Sequence, residues 1–308
     1  MKERLALSEE VARALQRRTP VVALESTLIT HGLPHPQGLE TALALEDAVR
    51  AHGAVPATIG ILDGAVRVGL ARGELERLAG AAEVAKVNPG NLAAVVAGGG
   101  LGSTTVAATV FVAAQAGFRV FATGGIGGVH RDQAESGDVS ADLIALARYP
   151  VAVVCAGAKA VLDLPKTVEM LETLGVPVLG LGTDEFPAFY RRSSGLRVDR
   201  RCDSVAEVAQ VVAAHWALGF RTGVLVANPV PEPDELPREV FEPALEGALA
   251  EAAERGLRGW EVTPFLLERL RELTGGATVK TNVALLLHNA RVAAELARAL
   301  AREEPVLA

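Results

Sequence analysis

Short apolar runs alternate with longer amphipathic stretches along this 308-residue chain, and this alternation constrains the fold more than any other feature. Strands that alternate with helices are typical of α/β proteins, in which helices cover a large central sheet. The apolar runs predict strands at residues 21–24, 58–62, 65–68, 92–96, 119–122, 151–155, 176–179 and 223–226. The amphipathic stretches predict helices at 38–52, 103–116, 165–174 and 205–218, followed by a helical last third at 238–256, 263–273 and 281–302.

Local signals mark where several elements begin or turn. Ser8 stands before Glu9 and Glu10 and is predicted to cap the first helix. The dipeptide Asp63-Gly64 separates two apolar runs and predicts a β-hairpin. The proline-rich segment 228–233 is predicted to be a rigid loop and not a linker, so we expect a single domain over residues 1–308.

Composition excludes several classes of protein. Half of the residues are hydrophobic and 22% are charged, as in a globular protein with a sizeable core, and the net charge of −7 argues against a general nucleic-acid binder. Cys155 and Cys202 are too few for a disulfide framework and fit a reducing cytoplasm. The charged first residues lack the apolar core of a secretion signal, and Asn, Pro and Gly interrupt the charge-free segment 87–118. We therefore expect a cytoplasmic protein with no membrane partner.

Lysine is rare in this chain. Only five of the 30 basic residues are lysine, and two of them, Lys86 and Lys159, lie in apolar segments. Arginine stays protonated in proteins, whereas a desolvated lysine can lose its proton and act as a nucleophile. Lys86 and Lys159 are therefore candidate site residues.

Chemically capable side chains also follow several of the predicted strands. Glu25 comes directly after the first apolar run, Thr123 comes directly after another, and Lys159 lies four residues beyond Cys155. Because open α/β sheets bind ligands beyond the C-terminal ends of their strands, we expect these side chains to share one rim. Considered alone, Glu25 has an alternative, structural interpretation, in which its carboxylate pairs with an arginine or caps a helix.

A glycine-rich segment at residues 98–105 (GGGLGSTT) precedes a predicted helix. Glycine amides, hydroxyl groups and a helix N-terminus can together bind an anion such as phosphate, which makes Thr104 a candidate contact. The segment lacks the lysine and the spacing of nucleotide-binding loops, so ATP and NAD are poorly supported. A plain strand-to-helix turn is the alternative.

Four acidic residues lie close together, namely Asp132, Glu135, Asp138 and Asp142. Carboxylates without neighbouring cysteines or paired histidines suit a hard cation such as Mg²⁺ or Mn²⁺, with water as further ligands. Capping of a helix by Asp138 or Ser140 is the alternative.

The six histidines fall into two groups. Those that lie in helical patterns and are predicted to be structural are His52, His215 and His288. Those in loops near the expected rim, which stay open as site residues, are His31, His35 and His130.

Longer segments, spread in order over nearly the whole chain, carry a family resemblance. They are residues 23–37 (ALESTLITHGLPHPQ), 120–131 (VFATGGIGGVHR), 153–159 (VVCAGAK), 162–164 (LDL), 226–232 (VANPVPE), 263–267 (TPFLL) and 273–276 (LTGG). In these segments the chain resembles the pseudouridine-5′-phosphate glycosidases. The resemblance implies a three-layer α/β/α sandwich with a large central mixed sheet, typically assembled as a homotrimer.

The same resemblance implies a metal-dependent lyase, usually with Mn²⁺ and without an organic cofactor, that interconverts pseudouridine 5′-phosphate and water with uracil and ribose 5-phosphate. By position, Glu25 matches the family's proton donor, Lys159 its nucleophile and Asp138 its metal ligand. The positions that match substrate-binding residues are Lys86, Val106, Ser140, Ala141, Asp142 and Asn282. We further expect Thr104, Thr123 and His130 to contact the substrate.

The chemistry of this reaction accounts for a lysine and a carboxylic acid. The bond to be cleaved joins C1′ of ribose to C5 of uracil, and a carbon leaving group has no lone pair for an acid to protonate, unlike the oxygen in ordinary glycoside hydrolysis. A lysine amine can instead form an adduct at C1′ that expels the carbon and leaves an imine. This predicts attack by Lys159 and ring opening assisted by Glu25. Another Schiff-base phosphosugar lyase or aldolase and a non-catalytic phosphosugar-binding protein remain the alternatives.

Overall fold

The computed structural model describes residues 5–257 and 262–303 of the chain. Within these residues, eleven strands form one mixed sheet. The strands are β1 (Leu5–Leu7), β2 (Val21–Leu24), β3 (Val55–Leu62), β4 (Ala65–Val68), β5 (Ala85–Val87), β6 (Gly102–Thr104), β7 (Val120–Ala122), β8 (Ala152–Cys155), β9 (Val178–Leu181), β10 (Arg200–Cys202) and β11 (Val224–Ala227). Every residue of β2, β7, β8 and β11 is buried, which explains why these strands are apolar throughout.

The sheet is parallel through its centre. Its strands follow the order β1-β4-β3-β2-β7-β8-β11-β9-β10, and β6 pairs with both β3 and β5 beside this path. In this spatial order, each strand from β3 through β2, β7, β8, β11 and β9 to β10 is parallel to its neighbour. Strands β4 and β6 run antiparallel to β3. The C-terminal ends of β2, β7 and β8 therefore lie side by side at one edge of the sheet.

Helices cover this sheet in a three-layer α/β/α arrangement. The helices are α1 (Glu9–Gln16), α2 (Gln37–Ala51), α3 (Arg72–Gly80), α4 (Leu92–Ala97), α5 (Val106–Ala116), α6 (Gln133–Ser136), α7 (Ala141–Arg148), α8 (Leu164–Thr173), α9 (Val205–Ala217), α10 (Arg238–Glu254), α11 (Val262–Leu273) and α12 (Ala277–Glu303). The long helix α12 packs on β2, β7 and β8 and against α2 and α9. Helix α5 packs on β2 and β7 and against α7. The predicted fold class, including its helical C-terminal third, is confirmed.

The local signals at Ser8 and at the hairpin are also confirmed. The Ser8 side chain accepts a hydrogen bond from the backbone N–H of Val11 at 3.2 Å and caps α1. Strands β3 and β4 pair antiparallel around Asp63 and Gly64, whose φ angles of 51° and 74° are the positive values that this tight turn needs.

The strand predicted at 92–96 is wrong, because this segment forms α4. Its side chains are half-exposed or exposed, so no burial selects the strand, and a short run of Ala and Val is also compatible with a helix. The neighbouring strand is β5, which the sequence did not indicate. Similarly, the helix predicted from residue 103 begins at Val106 with Thr105 as its N-cap, and residues 102–104 form the short strand β6.

Two further expectations concern the cysteines and the charge-free segment. Cys155 and Cys202 are both unpaired and buried, and burial raises the pKa of the Cys155 thiol to about 12. The charge-free segment 87–118 is divided among α4, β6, α5 and their connecting loops. In the parts of the chain that the structure describes, no helix is long and apolar enough to cross a membrane.

The tight contact at the hairpin turn leads to a stability prediction. A Cβ atom on Gly64 would lie 2.5 Å from the carbonyl oxygen of Val96, whereas one on Gly117, also with positive φ, would meet nothing within 4 Å. Gly117→Ala should lower the free energy of unfolding by about 1–2 kcal/mol through backbone strain alone. Gly64→Ala should cost about 1–3 kcal/mol more, because α4 or the turn must move. Urea denaturation of both variants measures the difference, and equal losses would contradict the contact.

Candidate active site

Glu25 lies at the C-terminal end of β2 and is held at both of its carboxylate oxygens. Its Oε1 accepts a hydrogen bond from the hydroxyl of Thr123 at 2.5 Å, and its Oε2 accepts one from the hydroxyl of Thr27. The residue is only 8% exposed, because β2 places it directly beyond four buried residues. These partners are hydroxyl groups, and among residues 5–257 and 262–303 no arginine, lysine or histidine forms an ion pair with this carboxylate.

Lys159 follows β8, and its loop is joined to the loop that follows β7. Its backbone N–H donates to the carbonyl of Ile126 at 3.0 Å, and the N–H of Ile126 donates to the carbonyl of Gly157 at 3.0 Å. Gly157 has a φ of 80°, and a Cβ there would lie 2.1 Å from the carbonyl oxygen of Pro187. The two loops therefore hold the lysine in a defined place beside the end of β7.

Glu25, Thr123, Lys86 and Lys159 line one cavity of about 70 Å³, together with Asn282 of α12. A second cavity of about 260 Å³ adjoins it and shares several of its lining residues. Thr263, Pro264 and Leu267, at the beginning of α11, lie on the wall of the first cavity. The side chains expected to share one rim therefore share one cavity. Together the two cavities form a cleft, and the smaller one, lined by Glu25, Lys86 and Lys159, is called the inner cavity below.

Two lysines influence each other inside this cleft. The pKa of Lys86 lies below its ordinary value, first because the surrounding protein desolvates its ammonium group and second because of the positive charge of Lys159. Glu25 and Asp142 act in the opposite direction. The positive charge of Lys159 thus disfavours the ammonium form of Lys86, which shows that the two lysines lie close enough to interact.

Asp142 connects α5 to the glycine-rich loop that follows β7. Its Oδ1 accepts from the N–H of Ala107 at 2.9 Å, and its Oδ2 accepts from the N–H of Gly127 at 2.7 Å. Ala107 lies in the first turn of α5, where free amides and the helix dipole favour an anion. A Cβ on Gly127 would lie 2.3 Å from the hydroxyl oxygen of Ser140, so only glycine allows this approach.

Other predicted site residues lie around the cleft without lining its inner cavity. Thr104 is fully buried, and its hydroxyl donates to the carbonyl of Ile59 at 2.8 Å. Val106 is buried as the first residue of α5, and Ala141 is the exposed first residue of α7. Ser140 caps α7, which Asp138 does not.

His130 and Asp138 face each other across a loop beside the cleft. The Nδ1 of His130 lies 3.7 Å from Oδ2 of Asp138, and its backbone N–H donates to the carbonyl of Asp138 at 3.1 Å. Among residues 5–257 and 262–303, no three or more His, Cys, Asp or Glu side chains converge on a metal position. A single half-exposed carboxylate fits a hard cation that keeps most of its water ligands, and it does not fit a cation enclosed by protein.

Several residues at the cleft have only a weak signal in the sequence. Thr27 and His31 belong to the polar loop that follows Glu25, yet nothing in their spacing identifies what they contact. Phe189 lines the cavity in a left-handed conformation, with a φ of 62°, and belongs to no recognisable motif.

The glycine stretch at 98–100, part of the segment considered as an anion-binding loop, packs at the β3–β4 turn. There Gly100 accepts a hydrogen bond from the N–H of Gly64 at 3.2 Å.

The fold and the cleft define an α/β protein whose lysine and carboxylate meet at the C-terminal edge of a parallel sheet. Residues 10–299 match the model of the family described as "Indigoidine synthase A like protein". The pseudouridine-5′-phosphate glycosidase of Caldanaerobacter subterraneus subsp. tengcongensis is 54% identical over 291 residues, which cover 94% of this chain and 95% of the relative. That of Jannaschia sp. is 56% identical over 296 residues, which cover 96% and 98% of the two chains. The chain therefore belongs to the indigoidine synthase A-like family, the family of the pseudouridine-5′-phosphate glycosidases.

Solved structures agree with this membership. The prealnumycin C-glycosynthase AlnA in complex with ribulose 5-phosphate is 43% identical, has a TM-score of 0.90, and is matched over 97% of both chains. An indigoidine synthase A-like protein from Thermotoga maritima is 38% identical with a TM-score of 0.86 and the same coverage.

The lowered pKa of Lys86 predicts a pH-dependent effect on stability. Between its folded-state pKa and its ordinary value of 10.5, the unfolded chain binds more protons at this residue, so stability rises with pH across this window. Lys86→Met removes this contribution. At the lower end of the window the variant should therefore have a higher free energy of unfolding than the original chain, and this difference should shrink towards the upper end. Urea unfolding at successive pH values measures the difference, and a pH-independent difference would contradict it.

Proposed function

We propose that this protein catalyses the reversible cleavage of pseudouridine 5′-phosphate, with water, to uracil and ribose 5-phosphate. The observation that carries the proposal is the meeting of Glu25 and Lys159 in one cavity at the sheet edge. The names of its relatives, at more than half identity over almost their whole length, support the same substrate. The ribulose 5-phosphate held by AlnA supports a phosphosugar in this cleft.

The proposed reaction begins with opening of the ribose ring. Glu25 donates a proton to O4′ as the C1′–O4′ bond breaks, and the uncharged amine of Lys159 forms a bond to C1′. The Glu25 carboxylate then takes a proton from the adduct nitrogen and delivers it to C5 of the base. The C1′–C5 bond breaks, uracil leaves with the bonding electrons and this proton, and a protonated imine between Lys159 and C1′ remains. Water hydrolyses the imine to ribose 5-phosphate.

The remaining predicted residues are proposed to bind the substrate around this centre. Lys86 supplies a positive charge for the phosphate, and the backbone amide of Val106 lies at the N-terminus of α5, a favourable place for an anion. Asn282 lines both cavities, so its amide is placed to bind an edge of the base. Thr123 and Thr27 orient Glu25.

The metal and the assembly also remain part of the proposal. Asp138 would hold a hard cation such as Mn²⁺ through one carboxylate, and when bound such an ion supplies ordered, polarised water. We propose a cytoplasmic homotrimer. The uncharged helix α4, whose side chains are half-exposed or exposed, supports an interface between copies.

Trapping of the imine tests covalent catalysis by Lys159. Borohydride added during turnover should inactivate the enzyme and leave ribose phosphate attached at Lys159, as mass spectrometry of the peptide would detect. Lys159→Ala and Lys159→Arg should both lose trapping and release of uracil, because arginine keeps the charge but is no nucleophile. An untrapped original enzyme that still releases uracil would refute the imine. Trapping without uracil release would favour another phosphosugar lyase, and binding without either would favour a binding protein.

Glu25→Gln tests the proton donor separately. Glutamine keeps the size of the side chain and its capacity to bond with Thr27 and Thr123, but it cannot donate and recover a proton. We expect turnover to fall by about 10²-fold or more, while ribose 5-phosphate binds with nearly unchanged affinity by calorimetry. Turnover close to that of the original enzyme would remove Glu25 from this role.

A further inference from the structure

His31 stands at the boundary between the two cavities of the cleft. It lies on a π-helical turn, Leu28–Gly32, a backbone form that often marks functional sites. It lines both the inner cavity with Lys159 and the adjoining larger cavity, and within the described parts of the chain Asn282 is the other polar side chain that both cavities share.

Two hydroxyl groups contact one ring nitrogen of His31. Its Nδ1 lies 2.6 Å from the hydroxyl oxygen of Thr30 and 3.2 Å from that of Ser103, and the Thr30 hydroxyl donates to Ser103 at 2.7 Å. Either tautomer satisfies these contacts, because Nδ1–H can donate to Thr30 or the Ser103 hydroxyl can donate to Nδ1. In the first tautomer Nε2 carries a lone pair and can act as a general base.

The charges around His31 favour the uncharged ring. Partial desolvation at the cavity wall lowers its pKa, and the positive charge of Lys86 lowers it further, which favours the uncharged imidazole. The ionisable groups that share a cavity wall with it, from each neighbouring element, are Glu25, Lys86, Lys159, Glu268 and Arg271. Glu268 pairs with Arg271, so the acid on this wall has its own counter-charge.

Hydrolysis of the imine needs a base for the attacking water. The Glu25 carboxylate is unprotonated at this stage of the proposed reaction, but both of its oxygens accept hydrogen bonds from Thr27 and Thr123. Glu25 does not line the larger cavity, whereas His31 does. Building on the proposed function, we infer that His31 is this general base, acting through Nε2.

The step balances in protons and charge. The oxygen of water bonds to C1′ of the protonated imine while Nε2 of His31 takes one proton of that water. The imidazolium returns this proton to the nitrogen of Lys159 and takes the proton of the new hydroxyl group as the C1′–N bond breaks. The products are the aldehyde of ribose 5-phosphate and uncharged Lys159, and His31 passes its extra proton to solvent.

Pre-steady-state kinetics of His31→Asn test this assignment. Asparagine preserves a donor towards Thr30 but has no base, so the first turnover should release about one uracil per active site at nearly the original rate. Steady-state turnover should then fall by about 10²-fold or more, and borohydride should trap a larger fraction of enzyme as adduct. His35→Asn is the matched control, because His35 is exposed in the same loop and lies outside both cavities. It should behave as the original enzyme.

The possible outcomes distinguish a failure of this inference from a failure of the proposed function. If the original enzyme forms no adduct with pseudouridine 5′-phosphate, the proposed function fails. If it forms the adduct but His31→Asn slows uracil release and turnover equally, or changes neither, the function stands and the role of His31 fails. Added imidazole should restore turnover to folded His31→Ala without changing its uracil burst. Absence of such rescue in a variant with native circular dichroism would also overturn the assignment.

Discussion

Adjacency of three parallel strands is the constraint on which the site depends. Strand β7 pairs with β2 on one side and with β8 on the other, and all three run in the same direction. Their ends bring Glu25, Thr123 and Lys159 to the same edge, although these residues are separated by more than a hundred positions at the extremes. The hydrogen bond from Thr123 to Glu25 and the pairing of the β7 and β8 loops convert this adjacency into a fixed geometry. Because backbone ladders set these positions, the three side chains are ordered before any ligand binds.

Electrostatics in the cleft are balanced between two lysines and two carboxylates. Lys86 and Lys159 repel each other, while Glu25 and Asp142 attract Lys86. Asp142 is neutralised in part by amides of α5 and of the glycine loop, so it stabilises the local backbone as well as the charge. A phosphate group near Lys86 would favour the charged form of this lysine and so oppose the effects of desolvation and of the Lys159 charge.

The sequence predicted the positions of Glu25 and Lys159 at the sheet edge better than it predicted the residues around them. Glu25 and Lys159 follow buried apolar strands, so their place at a sheet edge could be inferred from the chain alone, and the predicted fold class is confirmed. Strand order could not be inferred, because it depends on which apolar faces pack in three dimensions, and every central strand reads as a similar run of Val, Ala and Leu. Segment 92–96 has the same composition as a buried strand but lies at the surface, where helix propensity decides. The role of Thr27 could not be predicted either, because a hydroxyl contact two residues away leaves no periodic signal.

The helical C-terminal third also contributes to the site, through helix α12. Asn289 of α12 is 1% exposed, and its amide donates to the carbonyl of Thr123 at 2.8 Å. Its Oδ1 accepts from Asn228, at the end of β11, at 2.9 Å. Such buried polar groups are costly unless they are paired, and this pair bonds the peptide that carries the Thr123 hydroxyl. Two turns earlier on the same helix, Asn282 lines the cleft. A single helix thus supports the residue that hydrogen-bonds Glu25 and supplies a polar wall of the cleft, which ties the geometry of the carboxylate after β2 to α12.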